Sequence, residues 1–148
     1  MTYGGVEVLL VEDDPDDVEL TLHTLQDARI SNPVAVARDG EEALDYVFRR
    51  GACAGREDVA PRLILLDLNL PKISGLDVLR QIKADPRMAG IPVVVLTSSG
   101  NERDLVEAYR LGANSYMQKP VDFVQLQKTI REMGYYLLMV NRAMHATG

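Results

Sequence analysis

Short apolar runs constrain the fold of this chain more than any other feature. They predict three buried strands, at Val6–Val11, Arg62–Leu66 and Ile91–Leu96. Strands that are apolar along their whole length, rather than at alternate positions, are typical of parallel sheets covered on both faces. Because parallel strands need crossover connections, and these are right-handed, the sequence predicts a doubly wound α/β sheet.

The segments between these strands complete a β-α unit repeated five times. Pro33–Ala37 predicts a short strand near a sheet edge, because proline cannot donate to a strand ladder. Ser115–Gln118 predicts a second short strand. The helices are predicted from apolar spacing and stop signals. One starts at Pro15 with Asp14 as N-cap, and a second faces the core with Ala43, Leu44, Val47 and Phe48. A third ends before Pro86, a fourth is stopped by Gly112, and the last starts near Asp122.

Carboxylates follow two of the apolar strands. Glu12 and Asp13 come directly after the first strand, and Asp67 follows Arg62–Leu66. Ligands of doubly wound sheets bind outside the carboxyl ends of the strands. Carboxylates gathered there cannot all stay charged without a cation or a shared proton. The sequence therefore predicts an oxygen-ligand metal site that favours Mg²⁺ over zinc, with the backbone carbonyl of Asn69 as a further ligand.

Two further strand ends add a hydroxyl and an ammonium group. Thr97 ends the fourth strand, and Lys119 precedes Pro120 after the fifth. Each has an ordinary explanation when taken singly: a hydroxyl that caps a turn, or a solvated lysine. Together at successive strand ends they predict a site that accepts a phosphoryl group on Asp67.

These motifs together resemble the receiver domain of bacterial two-component response regulators, over about residues 6–140. The resemblance implies a flavodoxin-like sheet of five parallel strands in the order 2-1-3-4-5. The matching segments are LVEDDP at 10–15, LLDLNLP at 65–71, Gly75, Thr97–Ser98, Gly112–Ala113 and Lys119–Pro120.

The resemblance assigns a role to each residue at the strand ends. It implies that Glu12, Asp13, Asp67 and the backbone carbonyl of Asn69 bind Mg²⁺. It implies that Asp67 takes a phosphoryl group from a phosphohistidine on a sensor histidine kinase, and that Lys119 pairs with that group. Such a protein is a signalling module rather than an enzyme, since it promotes only its own phosphorylation and dephosphorylation.

The resemblance also implies a switch next to the phosphoacceptor. Thr97 is expected to hydrogen-bond to the phosphoryl group, and Tyr116 is expected to rotate inward into the space that Thr97 leaves. The alternative is that Tyr116 is an ordinary half-buried tyrosine. The bond between Lys119 and Pro120 matches the family's cis peptide, which only X–Pro bonds adopt cheaply.

The C-terminal part of the chain indicates what kind of output phosphorylation controls. Only 28 residues follow Pro120, so we expect one receiver domain over 1–148, with no output domain and a protein–protein contact as output. An apolar seam predicts the last helix: Phe123, Leu126, Ile130, Met133, Leu137 and Val140. Surplus apolar residues suggest a homodimer rather than a partly exposed helix end. The candidate interface residues are Tyr109, Tyr135, Tyr136, Leu138 and Met139, beside the face that carries Tyr116.

In four further features the chain resembles a subgroup of receivers, those that serve bacterial phytochrome-type photoreceptor kinases. The features are the Gly51–Pro61 insertion, the DPDD sequence at 14–17, the LNLPK sequence at 68–72 and the long last helix. The resemblance names a bacteriophytochrome kinase as the expected partner.

Composition excludes several other classes. The net charge is −6 and the sequence shows no basic stripe, which argues against nucleic-acid binding. No apolar run reaches the length of a membrane span. Cys53 is the only cysteine, and residues 1–5 lack signal-peptide character, so a cytoplasmic location is expected.

Three alternative functions use similar elements. A phosphorelay intermediate, which passes its phosphoryl group to a histidine phosphotransfer protein, has the same chemistry at Asp67 and remains open. A dehalogenase-type phosphatase needs a second acid two residues after its nucleophile, where this chain has Asn69. A flavin-binding protein needs a phosphate loop after the first strand, and here that loop is acidic.

Overall fold

Five parallel strands form one sheet in the computed structural model, which describes residues 8–28, 33–55, 61–98, 102–129 and 131–133. The order is β2-β1-β3-β4-β5, so the flavodoxin-like fold predicted from the sequence is confirmed. The strands are β1 (Val8–Val11), β2 (Val34–Ala37), β3 (Leu63–Asp67), β4 (Val93–Thr97) and β5 (Ser115–Gln118).

Helices connect the strands, and the first three of them begin at capping residues. The Asp14 carboxylate accepts hydrogen bonds from the backbone N–H groups of Asp16 and Asp17, so α1 begins at Pro15 as predicted. Asp39 and Ser74 cap the next two helices in the same way. The helices are α1 (Pro15–Asp27), α2 (Gly40–Phe48), α3 (Gly75–Ala84), α4 (Glu102–Arg110) and α5, which is helical at 123–129 and 131–133.

The sheet separates two hydrophobic cores, and β3 contributes to both. All five residues of β3 are buried. Ile64 and Leu66 pack toward α2, α3 and α4, whereas Leu63 and Leu65 pack toward α1 and α5. Each fully buried leucine stabilises the fold by about 1.5–3 kcal/mol relative to exposure. This two-sided burial explains why the strands are apolar along their whole length.

The two edge strands differ from the central ones in burial. β2 directly follows Pro33 and lies at one edge of the sheet, as the proline predicted. β5 lies at the other edge, and Met117 is its one buried residue. The polar residues of β5 are therefore compatible with an edge position.

The loop between β3 and α3 folds back against the end of β3. The backbone N–H of Gly75 donates a hydrogen bond to the carbonyl of Leu68 at 3.2 Å. A β-carbon at position 75 would collide with the carbonyl of Asp67 and the α-carbon of Leu68. Glycine is therefore required at this close approach, which holds the end of β3 in place.

Lys83 joins two loops at the opposite end of the sheet. Its ammonium group donates hydrogen bonds to the carbonyls of Ala89 at 3.0 Å and Ile91 at 2.7 Å. Its alkyl chain lies against Gly112, which has a positive φ of 108°. Burial lowers the pKa of Lys83. No sequence pattern indicated this role.

The start of the last helix departs from the predicted seam. Leu126 and Met133 of the predicted apolar seam are buried, whereas Phe123 at its start is 41% exposed. The buried positions of this helix include Thr129, which is polar. The dimer candidates Tyr135, Tyr136, Leu138 and Met139 lie outside the described residues. Within the described ranges, no helix has the length and apolar character needed to cross a bilayer.

Candidate functional site

The carboxyl ends of β1 and β3 bring two acids together inside the protein. Glu12 follows β1, and its backbone N–H donates to the carbonyl of Ala37 at 2.9 Å. Asp67 is the last residue of β3. The exposed fractions of Glu12 and Asp67 are 0% and 1%. Both positions follow from the sheet, because neighbouring parallel strands end at the same edge.

Asp13 joins these two acids at the surface. One carboxylate oxygen from each of Glu12, Asp13 and Asp67 lies within 4.8 Å of the others. A second feature orients Glu12, whose Oε2 accepts hydrogen bonds from the backbone N–H groups of Asp13 at 3.0 Å and Asp14 at 3.3 Å. Three hard oxygen donors at this separation fit a divalent cation such as Mg²⁺ or Mn²⁺.

Lys119 supplies the positive charge of this acidic site. Its Nζ lies 2.9 Å from Glu12 Oε1 and 3.0 Å from Asp67 Oδ2. The peptide bond between Lys119 and Pro120 is cis, as expected from the sequence. The backbone N–H of Lys119 donates to the carbonyl of Thr97 at 2.7 Å, which ties the end of β5 to the end of β4.

Burial and charge pairing act on Glu12 and Lys119 in different ways. Burial, followed by the hydrogen bond and charge of Asp67, raises the pKa of Glu12 to about 7, although Lys119 opposes this. Burial lowers the pKa of Lys119, but its hydrogen bonds to Glu12 and Asp67 outweigh burial and raise that pKa above its ordinary value. The ammonium group therefore stays charged, and the two buried acids compete for it.

Asp17 is a further member of the site that the sequence did not reveal. The DPDD segment predicted only an acidic helix start, in which Asp16 and Asp17 favour the positive end of the helix dipole. In the structure, Asp17 Oδ2 lies 3.3 Å from Lys119 Nζ. The sequence gives one sign of this role, an acid at position 17 about one helical turn after the Asp14 cap. This spacing does not specify which way the Asp17 side chain faces.

Thr97 and Asn69 lie at the same edge of the sheet as the acids. Thr97 is at the end of β4, and Asn69 is in the loop between β3 and α3. Thr97 is the last residue of β4 and is buried. Asn69 donates its backbone N–H to Asp67 Oδ1 at 3.0 Å, and its side-chain amide donates to Ser98 Oγ at 3.3 Å. The ligand role of the Asn69 carbonyl and the phosphoryl contact of Thr97 stay predictions.

Tyr116 lies on the edge strand, with its side chain turned outward. It is 47% exposed, and its backbone pairs with Val95 of β4. Its ring makes an edge-to-face contact with Tyr109 of α4, with ring centroids 6.3 Å apart. Partial burial, then Tyr116 and Glu132, raise the pKa of Tyr109. The structure thus brings together the two tyrosines that the sequence placed on one face.

Comparison with known proteins identifies a family match over most of the chain. The model for the response regulator receiver domain matches residues 8–131. A relative from Methanothrix harundinacea, the probable methanogenesis regulatory protein FilR2, is 42% identical over 92% of this chain and 86% of its own length. Response regulator Rcp1 from Synechocystis is 40% identical over 84% of this chain and 83% of its own.

Solved structures extend the similarity to three dimensions. The bacteriophytochrome response regulator RtBRR is 50% identical, with a TM-score of 0.82 over 87% of this chain and 78% of that one. The Mn²⁺-bound form of Rcp1 is 38% identical, with a TM-score of 0.74 over 86% of this chain and 91% of that one. Regulators associated with phytochromes are thus prominent among the similar proteins.

Proposed function

The chain belongs to the response regulator receiver family, and we propose that it is a phosphoacceptor that takes a phosphoryl group on Asp67 from a sensor histidine kinase. The observation that carries this proposal is the position of Lys119 Nζ, 3.0 Å from Asp67 Oδ2 within a cluster of three acids. A buried carboxylate with its own ammonium partner, at the end of a central strand, is held in one orientation for attack on an incoming phosphoryl group.

The transfer forms one bond and breaks another. A carboxylate oxygen of Asp67 attacks the phosphorus of the phosphohistidine in line, and the P–N bond to the imidazole breaks. Lys119 neutralises negative charge that spreads over the phosphoryl oxygens, and the Thr97 hydroxyl donates a hydrogen bond to one of them. Positioning and electrostatics provide most of the catalysis in reactions of this kind. Attack of water on the phosphorus later restores the free carboxylate.

We infer that the cofactor is Mg²⁺, held by the carboxylates of Glu12, Asp13 and Asp67 and the backbone carbonyl of Asn69. The donor set supports this assignment, since all four ligands are hard oxygens. When bound, the cation supplies positive charge that screens the phosphoryl oxygens from the acids. The chain itself contributes the arrangement of these acids and the ammonium group that balances them.

The proposed switch links Asp67 to the exposed face of β5. A hydrogen bond from Thr97 to the phosphoryl group draws its side chain toward Asp67, and Tyr116 turns inward to fill the space. The outward position of Tyr116 supports this proposal, because an exposed ring can still move toward the core. A local charge is thereby converted into a change of surface shape.

The proposed partner is a histidine kinase of the bacteriophytochrome type, and the proposed assembly is a homodimer. Similarity to RtBRR and Rcp1 supports the kinase class. The Tyr109–Tyr116 pair supports an apolar contact surface, since both rings are nearly half exposed. A cytoplasmic location and the absence of an output domain stay predictions.

Intact-mass measurement after incubation with Mg²⁺ and a small-molecule phosphodonor tests the phosphoacceptor role. We expect the wild type to gain the mass of one phosphoryl group, to lose it on standing, and to gain nothing when a chelator is present. Asp67→Asn should gain nothing. Asp77→Asn is a matched control, since Asp77 is half exposed and pairs with Arg80 on α3, and it should behave as the wild type.

If the wild type gains no mass from the phosphodonor, it is incubated with an autophosphorylated bacteriophytochrome kinase as a second phosphodonor. Transfer in that assay, lost in Asp67→Asn, supports the proposal. Failure in both assays contradicts it, as does phosphorylation that survives in Asp67→Asn.

A further inference from the structure

Asp17 makes an ion pair that the phosphoacceptor chemistry does not require. Lys119 Nζ lies within 3.3 Å of three carboxylates, those of Glu12, Asp67 and Asp17. Glu12 and Asp67 are buried at the strand ends, whereas the Asp17 side chain is 31% exposed on the first turn of α1. The ammonium group therefore has two partners inside the site and one partner toward its rim.

The two inner partners are the same acids that are proposed to bind the cation. An ammonium group paired with Glu12 and Asp67 neutralises them and repels a second positive charge, so Lys119 and the metal ion compete for these carboxylates. Asp17 is not one of the three acids whose oxygens converge within 4.8 Å. It is therefore free to keep Lys119 when the inner acids turn to the cation.

We propose that Asp17 is a positioning residue that receives the Lys119 ammonium group when a divalent cation occupies Glu12, Asp13 and Asp67. This inference rests on the proposed function, because it concerns the same site. With Asp17 present, Lys119 keeps a carboxylate partner after it leaves the inner acids, and it stays beside Asp67 for the incoming phosphoryl group. Without Asp17, cation binding forces Lys119 to give up both of its remaining carboxylate partners, Glu12 and Asp67, and the cation binds more weakly.

Asp17 could also favour cation binding through its charge alone, without holding Lys119. Asp17 carries negative charge near the cation, and any nearby acid favours cation binding to some degree. Asp16 provides the matched control, since it is exposed, has the same charge and occupies the same first turn of α1. The backbone N–H groups of Asp16 and Asp17 are both capped by Asp14, so neither side chain is needed for that cap.

Calorimetric titration with Mn²⁺, repeated with Mg²⁺, tests the proposal on the full chain. We expect Asp17→Asn to weaken Mn²⁺ binding about five- to tenfold and Asp16→Asn to weaken it less than about twofold. Asp17→Glu keeps the charge and should restore most of the affinity. Thermal unfolding of each variant without metal checks that the substitutions leave the fold intact.

A double-mutant cycle with Lys119→Met decides between the two accounts. If Asp17 acts by holding Lys119, its substitution has little effect once the ammonium group is absent, and the two substitutions are strongly non-additive. An equal loss of affinity from Asp17→Asn in the Lys119→Met background would overturn the proposal, as would equal effects of Asp16→Asn and Asp17→Asn. A wild type that binds no Mn²⁺ would instead overturn the proposed metal site itself, which the phosphorylation assay addresses separately.

Discussion

At the residue scale, burial beside Asp67 raises the pKa of Glu12 toward neutrality. Its pKa of about 7 lies above the ordinary value of 4.5, because it is buried beside Asp67. A group whose folded pKa is raised stabilises the fold below the unfolded pKa, and this contribution is lost as pH rises through the folded pKa. For Glu12 that window runs from pH 4.5 to about 7.

We therefore predict that, without metal, the free energy of unfolding of the wild type falls relative to that of Glu12→Gln as pH rises through this window. One pKa unit corresponds to about 1.4 kcal/mol, so the fall is at most about 3.5 kcal/mol. Urea unfolding at a series of pH values, with a chelator present, measures it. Saturating Mg²⁺ should remove the fall, because the cation favours ionised Glu12. Parallel pH profiles for the two proteins would contradict the prediction.

The difference between predicted and missed site residues has a physical basis. Glu12 and Asp67 were predictable because a strand end fixes both position and direction within a parallel sheet. Lys119 was predictable because it stands next to Pro120 at another strand end. Asp17 was not, because the rotation of α1 about its own axis decides which acid of its first turn meets Lys119. That rotation depends on the packing of Val18 and Leu25 against the sheet.

At the scale of elements, the β3–α3 loop depends on Gly75. We predict that Gly75→Ala lowers the free energy of unfolding by about 1–3 kcal/mol, because a β-carbon there collides with the backbone of Asp67 and Leu68. It should also slow phosphorylation of Asp67, since the loop must move to relieve the collision. Urea unfolding and intact mass measure the two effects.

Gly90→Ala is the matched control for this substitution. A β-carbon at Gly90 meets no atom within 4 Å, so this variant should match the wild type in stability and in phosphorylation. A Gly75→Ala variant as stable as Gly90→Ala would show that the loop adapts without cost and would contradict the prediction.

The edge strand β5 carries the proposed switch. We predict that Tyr116→Ala leaves phosphorylation of Asp67 intact but reduces the change that phosphorylation causes in β5 and α4, because no ring is left to fill the space beside Thr97. Intact mass measures the first effect, and amide chemical shifts of β5 and α4 measure the second. Val106→Ala controls for loss of an exposed apolar side chain on α4. An undiminished shift change in Tyr116→Ala would refute the switch.

The elements themselves were largely predictable, with one informative exception. Apolar runs located the strands and helices to within a few residues, and the Asp14 cap located the start of α1, because two-sided burial and a helix cap leave local signatures. Phe123 belongs to the predicted apolar seam by its spacing from Leu126, yet it is 41% exposed. Periodicity shows which residues share a helix face, but it does not show how much of that face is covered.

At the scale of the whole molecule, we predict that the protein is a homodimer. Light scattering should give twice the mass of the chain, and Leu138→Glu should give the mass of one chain, because a charge buried in an apolar contact is costly. Val124→Glu is the control, since Val124 is 74% exposed and lies outside the proposed contact. A single-chain mass for the wild type, both with and without phosphate on Asp67, would exclude the dimer.

The strand order also has a mechanical consequence. β3 is bonded to strands on both sides and buried on both faces, whereas β5 is bonded to β4 alone and exposes Tyr116. Asp67 therefore stands on a strand that is held from both sides, and Tyr116 stands on a strand that is held from one side only. Phosphate at Asp67 should leave the strand that carries it nearly still, and most of the displacement should occur two strands away, at the margin.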